Sequence, residues 1–390
     1  MTFSTFEIKK MFERTIQSRI IEKMYRGKAI ILVGARQVGK TTLIKEVLKG
    51  QKYLFLDADD PSTRNLLQQP TTEQIRTIIG YHKCIFLDEA QLIPSIGLTL
   101  KIITDQFKDV QVFVSGSSSF ELGNVLNEPL TGRKWEYELF PISWEEYEHK
   151  IGVIKSEQHI ENRLLYGMYP EVINNQGDER ETLKNLVNSY LYRDLLSFSE
   201  IRKPEVLEKL LQALALQVGS EVNYNELSNL LGINKITVQK YIDVLVQGYI
   251  IFKLNSFSRN VRNEIKQNRK IYFYDNGIRN MLLGNFNPLD LRADKGALWE
   301  NFLMAERRKQ HVYKDTFAKM YFWRTKQQQE IDLVEEVNGE INAYEFKWKP
   351  KNTKFPQRFI DAYRAKGTMV DRENFRSFVT IQTDLSAIPS

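Results

Sequence analysis

At 390 residues, 42% hydrophobic, 12% aromatic and 27% charged, the chain has ample apolar material and is too long for one ordinary core, which excludes disorder and points to two or three domains. The single cysteine, Cys84, excludes a disulfide framework; no apolar run approaches the roughly 18 residues of a membrane helix, and Met1 to Glu7 shows no basic start before an apolar core, so a cytoplasmic location without a membrane partner is expected. A net charge of +6 and a pI near 9.0 permit a polyanionic partner without requiring one.

From about Ile20 to Tyr147 short apolar strands alternate with helical segments, the pattern of an α/β fold with a mostly parallel sheet and helices on both faces. Strands are predicted at 29–33, 53–57, 84–88 and 110–115, with another near 135–139. The first runs into Gly34-Ala35-Arg36-Gln37-Val38-Gly39-Lys40-Thr41-Thr42, which satisfies every required position of the G-x-x-x-x-G-K-[ST] phosphate loop and is followed by a helical segment, Leu43 to Leu48. Gly34 and Gly39 allow the backbone N–H groups to turn toward phosphate oxygens, Lys40 brings a cation to the β- and γ-phosphates, and the Thr41 hydroxyl is the expected Mg²⁺ ligand. The segment Asp57 to Pro61 closes the second strand at the carboxyl edge, where ligands of such sheets collect.

Lys83 to Leu87 then reads as a buried strand ending in Asp88 and Glu89, placed to hold a Mg²⁺ water shell and to polarise the attacking water. Gln91 either reports the state of the nucleotide or is a polar residue at a helix entry. Val110 to Val114 leads into Ser115-Gly116-Ser117, whose two hydroxyls are candidate γ-phosphate sensors. Arg133 is the cation nominated to face the transferred phosphoryl, either within the chain or across a subunit boundary.

Beyond about Glu161 the pattern turns helical to Lys209, as a lid or linker. Asn223 to Gly232, Ile233 to Leu245 and Tyr249 to Leu254 read as helix, helix and strand, a winged helix-turn-helix whose Lys235, Thr237, Gln239 and Lys240 either meet a DNA major groove or serve packing and protein contact. Basic clusters occur around Arg259 to Lys270, Arg307 to Lys309 and Lys347 to Lys354. In the last region Asp332 on one strand is followed, after a hairpin, by Glu345-Phe346-Lys347 on the next, with Glu300 on a preceding helix. Strand alternation places Glu345 and Lys347 on one face, so that three carboxylates and a lysine can either bind Mg²⁺ for phosphodiester cleavage or be ordinary charges of an inactive domain.

With these motifs in order, nearly the whole chain resembles the bacterial and archaeal P-loop ATPases of the AAA type that join an N-terminal ATPase to a C-terminal restriction-endonuclease-like domain of unknown function. Further marks are Phe140-Pro141-Ile142, Gly167 to Val172, Tyr190 to Asp194, Tyr272 to Gly277 and Gly296 to Phe302. The resemblance implies three parts: a P-loop ATPase domain at 1–155, a helical lid and winged-helix-like domain at 156–258, and a restriction-endonuclease-like α/β domain at 259–390. It implies ATP as ligand and its Mg²⁺-dependent hydrolysis. Two uses of the nucleotide stay open: coupling to DNA binding or processing, or a nucleotide-gated interaction and signalling switch acting on a protein partner or homo-oligomer, with an inactive nuclease-like domain.

Overall fold

The computed structural model describes residues 11–117, 129–188, 201, 203–258, 269–350 and 355–380. Ser118 and Ser119, Tyr190 to Asp194, the basic stretch Arg259 to Lys266 and Lys351 to Lys354 lie outside the described residues. The chain divides into two compact units, one of Glu13–Pro141 with Gln247–Tyr249, the other of Ile142–Val246 and Ile250–Ser390 with Met1–Phe12.

The first unit opens with a short helix, α1 (Gln17–Glu22), and then β1 (Ala29–Val33), five aliphatic residues that are all buried, as a strand covered on both faces requires. It continues through α2 (Lys40–Val47), β2 (Leu54–Asp57), α3 (Pro61–Leu67), α4 (Thr72–Ile79), β3 (Cys84–Asp88), α5 (Ile96–Gln106), β4 (Gln111–Gly116) and β5 (Lys134–Glu138). The five strands form a wholly parallel sheet in the order β2-β3-β4-β1-β5. Each strand lies within about a residue of its predicted place, and Cys84 is a buried core residue of β3. Because every strand runs the same way, Val33 aligns with Gly116 and Glu138, and Asp57 with Asp88, so all carboxyl ends share one edge.

The second unit begins with helices α6 (Trp144–Ile151), α7 (Val153–Tyr166), α8 (Pro170–Asn174), α9 (Glu179–Leu186) and α10 (Pro204–Leu216). There follow β6 (Glu221–Val222), α11 (Tyr224–Leu231), α12 (Lys235–Gln247), β7 (Ile251–Ser256), β8 (Arg269–Phe273), α13 (Asn276–Leu283) and the twenty-residue α14 (Lys295–Lys314). The chain ends with β9 (Lys319–Arg324), β10 (Glu330–Val337), β11 (Glu340–Phe346), α15 (Gln357–Tyr363), β12 (Lys366–Val370) and α16 (Phe375–Val379). Among the described residues, no helix is long and apolar enough to cross a membrane.

The expected borders at 155 and 258 do not coincide with the compact units. One seven-stranded mixed sheet, β12-β11-β10-β9-β7-β8-β6, runs straight across residue 258, because β7 offers its free edge to β9 in parallel through Asn255 with Tyr321 and Ser256 with Phe322. Residues 142–155 also belong to this unit: the Trp144 backbone N–H donates to Glu306 Oε2 at 2.6 Å, its ring meets Phe302 and Phe375 edge-on, and Arg376 grips Glu148 with two bonds of 2.7 and 2.8 Å.

Buried polar side chains stitch the unit together through hydrogen bonds between its segments. Asn301, with no exposed surface, bonds both the N–H and the C=O of Phe273, while Asp275 caps α13 through Ile278 N–H and accepts from Met168 N–H at 2.6 Å. That closeness explains two marks read in the sequence: a Cβ on Gly167 would lie 2.0 Å from Asp275 Oδ1, and one on Gly277 would lie 2.2 Å from the Tyr166 carbonyl oxygen. Since the Gly277 clash is with backbone, Gly277→Ala is expected to destabilise the second unit by about 1–3 kcal/mol, seen as a lowered thermal midpoint. An unchanged midpoint would show that the two segments can separate freely.

Candidate functional site

The phosphate loop joins β1 to α2, and its glycines are dictated by space. Gly34 has φ +151°, and a Cβ there would lie 2.0 Å from the Leu139 carbonyl oxygen; Gly39, at φ +99°, caps α2 in a left-handed conformation. Ala35 and Val38 are fully buried beneath the loop, Gln37 and Thr42 are exposed, and Arg36 is half-buried. Lys40 is the first residue of α2, buried, with its ammonium donating to the carbonyls of Gly34 and Ala35, both at 2.9 Å. The loop thus holds its lysine folded over its own backbone, at the helix N-terminus where anions are favoured.

Thr41 and Asp88 meet as the motifs require: Thr41 Oγ1 donates to Asp88 Oδ2 at 2.8 Å. The other oxygen, Asp88 Oδ1, accepts from the Ser115 hydroxyl, and Ser115 Oγ in turn accepts the Glu89 N–H at 3.3 Å. Ser115 has no exposed surface and serves as a brace for the Asp88-Glu89 corner; Ser117, two residues on, is the hydroxyl at the surface of the site. Glu89 is partly exposed and sits at φ +50°, and its carboxylate accepts from Gln91 Nε2 at 2.5 Å. A hydroxyl and a carboxylate side by side, with no ion pair to either among the described residues, are the oxygen donors that Mg²⁺ takes from a protein while phosphates and water complete its shell. These residues fit the ion.

Arg14 is a member of the site that carries no motif. It is buried, and its guanidinium donates to the Val38 carbonyl at 2.8 Å and the Phe140 carbonyl at 2.7 Å, tying the back of the phosphate loop to the segment after β5. Nothing local marks it, since its partners lie 24 and 126 residues away.

Arg133 lies elsewhere. Its carbonyl receives the N–H of Ala29, the first residue of β1, and Lys134 aligns with Ala29, so Arg133 stands at the amino edge of the sheet while the phosphate loop leaves the carboxyl edge. Five residues at 3.3 Å each separate the two edges by about 16 Å. The Arg133 side chain is occupied there by Asp105, with Nε to Oδ1 at 2.6 Å. The expectation that it faces the phosphoryl within its own chain is therefore corrected: the parallel register sends it to the wrong end of the strand.

Glu300, Asp332, Glu345 and Lys347 are brought together in the second unit. Asp332 lies one step beyond the last paired residues, Leu333 and Tyr344, which sets it opposite Glu345 on β11; its Oδ2 accepts the Phe346 N–H at 2.8 Å, replacing a backbone pair. Lys347 Nζ is 3.0 Å from Glu345 and 3.9 Å from Asp332. Two residues missed as site candidates complete the cluster. Lys270 of β8, 1% exposed, reaches Glu330 at 2.6 Å and Glu300 at 3.3 Å, and the Tyr272 hydroxyl donates to Glu300 at 2.7 Å.

Burial pushes the Glu300 carboxyl up to about 7, against the pull of Lys270 and with the Asp332 charge adding to the rise. Burial and then the Asp332 charge likewise push Glu345 up to about 7, against Lys347. Lys270 is raised, because Glu300, Glu330 and Asp332 outweigh the burial of its ammonium. Among the described residues, no three His, Cys, Asp or Glu side chains are disposed to hold a metal ion. Glu330 and Glu345 are taken by ammonium groups, Glu300 by Lys270 and the Tyr272 hydroxyl, and Asp332 Oδ2 by the Phe346 N–H, so these residues as placed do not fit Mg²⁺.

Comparison with known proteins divides the chain into three segments. Residues 26–148 match the AAA domain family, residues 157–289 a domain of unknown function (DUF8612), and residues 295–386 a second domain of unknown function (DUF4143). Residues 26–148 are an AAA-type P-loop domain. An uncharacterized protein of Mycobacterium tuberculosis is 26% identical over 338 residues, covering 86% of this chain and 73% of its own length. Another from Methanocaldococcus jannaschii is 21% identical over 348 residues, covering 83% and 75%. Of solved structures, the Walker-type ATPase of Pyrococcus abyssi is similar at a TM-score of 0.49 and 17% identity, over 70% of this chain and 96% of that one.

Two outcomes are expected from this geometry. Removing the brace with Arg14→Ala should weaken Mg²⁺-nucleotide binding by about tenfold, near the low end of the worth of one charged hydrogen bond, in a calorimetric titration; unchanged affinity would make the brace irrelevant to the loop. In the cluster, Glu300 and Glu345 keep protons in the folded state up to about 7, whereas unfolded carboxyls titrate near 4.5. The folded state then binds more protons in that window, so stability falls as pH rises through it. Glu345→Gln should flatten the decline in thermal midpoint between about pH 5 and about pH 8, and an identical decline in the variant would mean that Glu345 stays ionised throughout.

Proposed function

We propose that this chain is an ATP-binding, Mg²⁺-dependent ATPase. The observation that carries the reading is the contact of Thr41 with Asp88 at 2.8 Å beside a loop whose Lys40 is already folded over it. In this reading the loop N–H groups and the α2 N-terminus bind the triphosphate, and Lys40 moves from the Gly34 and Ala35 carbonyls to the β- and γ-oxygens. Thr41 and Asp88 hold Mg²⁺, which when bound neutralises charge on the phosphate oxygens. Glu89 orients and polarises the attacking water, and Ser117 meets the terminal phosphate.

For what the turnover serves, the second unit favours a nucleotide-gated switch over cutting. The convergence of Glu300 from α14 with Asp332, Glu345 and Lys347 of the hairpin supports the restriction-endonuclease-like reading of the fold, while Lys270 and Lys347 occupy carboxylate oxygens and partly offset their charge, which favours an inactive form. Helices α11 and α12, joined through Gly232 in the left-handed region and followed by β7, support the winged-helix reading. Its Lys235, Gln239 and Lys240 are exposed, whereas Thr237 is half-buried and bonded to Asn234, which leaves a weakly basic face for DNA or a protein partner.

Lys40→Ala is expected to abolish measurable ATP binding, and Glu89→Gln to keep binding while slowing Mg²⁺-dependent phosphate release by about a hundredfold or more, with single- and double-stranded DNA added in parallel. Wild-type affinity in the first variant sinks the phosphate-loop reading. Turnover stimulated by DNA would overturn the preference for a switch without nucleic acid.

A further inference from the structure

Gln91 makes two bonds from one nitrogen. Its Nε2 donates to Glu89 Oε2 at 2.5 Å and to Ser117 Oγ at 2.9 Å, so the amide spans from the corner after β3 to the residue after β4. An amide nitrogen has two hydrogens, and both are used here. The orientation is unique, because rotating the amide would set its oxygen against the Glu89 carboxylate. As it stands, Gln91 Oε1 is buried with no hydrogen-bond partner among the described residues. A buried oxygen left unpaired costs about 1–3 kcal/mol, and such exceptions call for a reason other than stability.

The backbone around it is equally constrained. Glu89 occupies the left-handed region at φ +50°, ψ +42°, its N–H is tied to Ser115 Oγ, and the chain turns at once into the short helix Ala90–Leu92. That corner sets where the Glu89 side chain starts, and Gln91 sets where its carboxylate ends. Ser117, accepting from Gln91, keeps its own hydroxyl hydrogen to donate outward.

We propose that Gln91 is a positioning residue that holds the Glu89 carboxylate and joins it to Ser117, so that contact of Ser117 with a terminal phosphate also fixes the group that orients water. This rests on the ATPase reading of Glu89 and Ser117 given above. Gln91 acts through both neighbours, Glu89 and Ser117.

The test compares wild type with Gln91→Met, which keeps the volume and loses both bonds, and Gln91→Glu, which keeps the shape and repels Glu89. ATP affinity is expected to stay within about threefold while kcat falls about 10- to 100-fold, more in the Glu variant, the scale of a catalytic group moved by about an ångström. Preserved affinity and thermal midpoint show that each variant folds; should one fail to fold, the other carries the test. Combining Gln91→Met with Ser117→Ala should cost clearly less than the product of the two single losses, because the changes share the Gln91–Ser117 link. Unchanged kcat in both Gln91 variants, or fully additive losses in the double variant, overturns the proposal. Glu89→Gln is run alongside. If it stalls turnover while the Gln91 variants do not, only the positioning role falls; if it leaves turnover unchanged, the ATPase reading of Glu89 falls and the proposal with it.

Discussion

The first unit is organised around one carboxylate. Asp88 has each oxygen committed, Oδ2 to the hydroxyl of Thr41 on α2 and Oδ1 to that of Ser115 on β4, so a single buried anion joins the helix after the phosphate loop to two strands. A buried charge is tolerated only where its lone pairs are met. This one is met by hydroxyls, which satisfy geometry without cancelling charge, and its negative potential remains for a cation at the carboxyl edge. The position of Lys40, the support from Arg14 and the corner that carries Glu89 all follow from keeping that edge closed and in register.

The second unit treats its acids in the opposite way. Burial, with the neighbouring Asp332 charge adding to it, raises Glu300 and Glu345 to about 7, and ammonium groups from Lys270 and Lys347 are inserted among the acids. Partners that are themselves cations cancel charge and aim the carboxylate oxygens at nitrogen. The same residue types therefore produce two different sites: one with an uncancelled anion beside a phosphate-binding loop, the other an internally neutralised cluster across a shared sheet. Lys270 makes the difference, and it does so from β8, a strand that pairs with β7.

That sharing also accounts for where domain expectations and structure part. The family matches end at 148 and 289 and begin again at 157 and 295, so the second gap falls well beyond the expected border at 258, where β7 to β9 pairing makes residues on both sides one sheet. Composition and periodicity change along a chain wherever the local element type changes. They carry no record of which strand edge is left open for a later strand.

What was legible from the amino-acid sequence is what depends on neighbours along the chain. The five strands of the parallel sheet and the phosphate loop were readable because apolar runs, the spacing of Gly34, Gly39, Lys40 and Thr41, and acids at the end of a buried strand each express a local rule of backbone conformation or burial. Parallel pairing then forces Thr41, Asp88 and Ser115 onto one edge, so their meeting was implied as well. Arg14, Lys270 and the place of Arg133 were not legible, since each depends on partners brought close by folding from 24 to more than 100 residues away, or on which end of a strand a loop joins. Local rules constrain the backbone through its own dihedrals and hydrogen bonds, and these belong to the sequence by itself. The balance of charge inside each site is set by side chains from distant segments, and only the tertiary structure decides which of them meet.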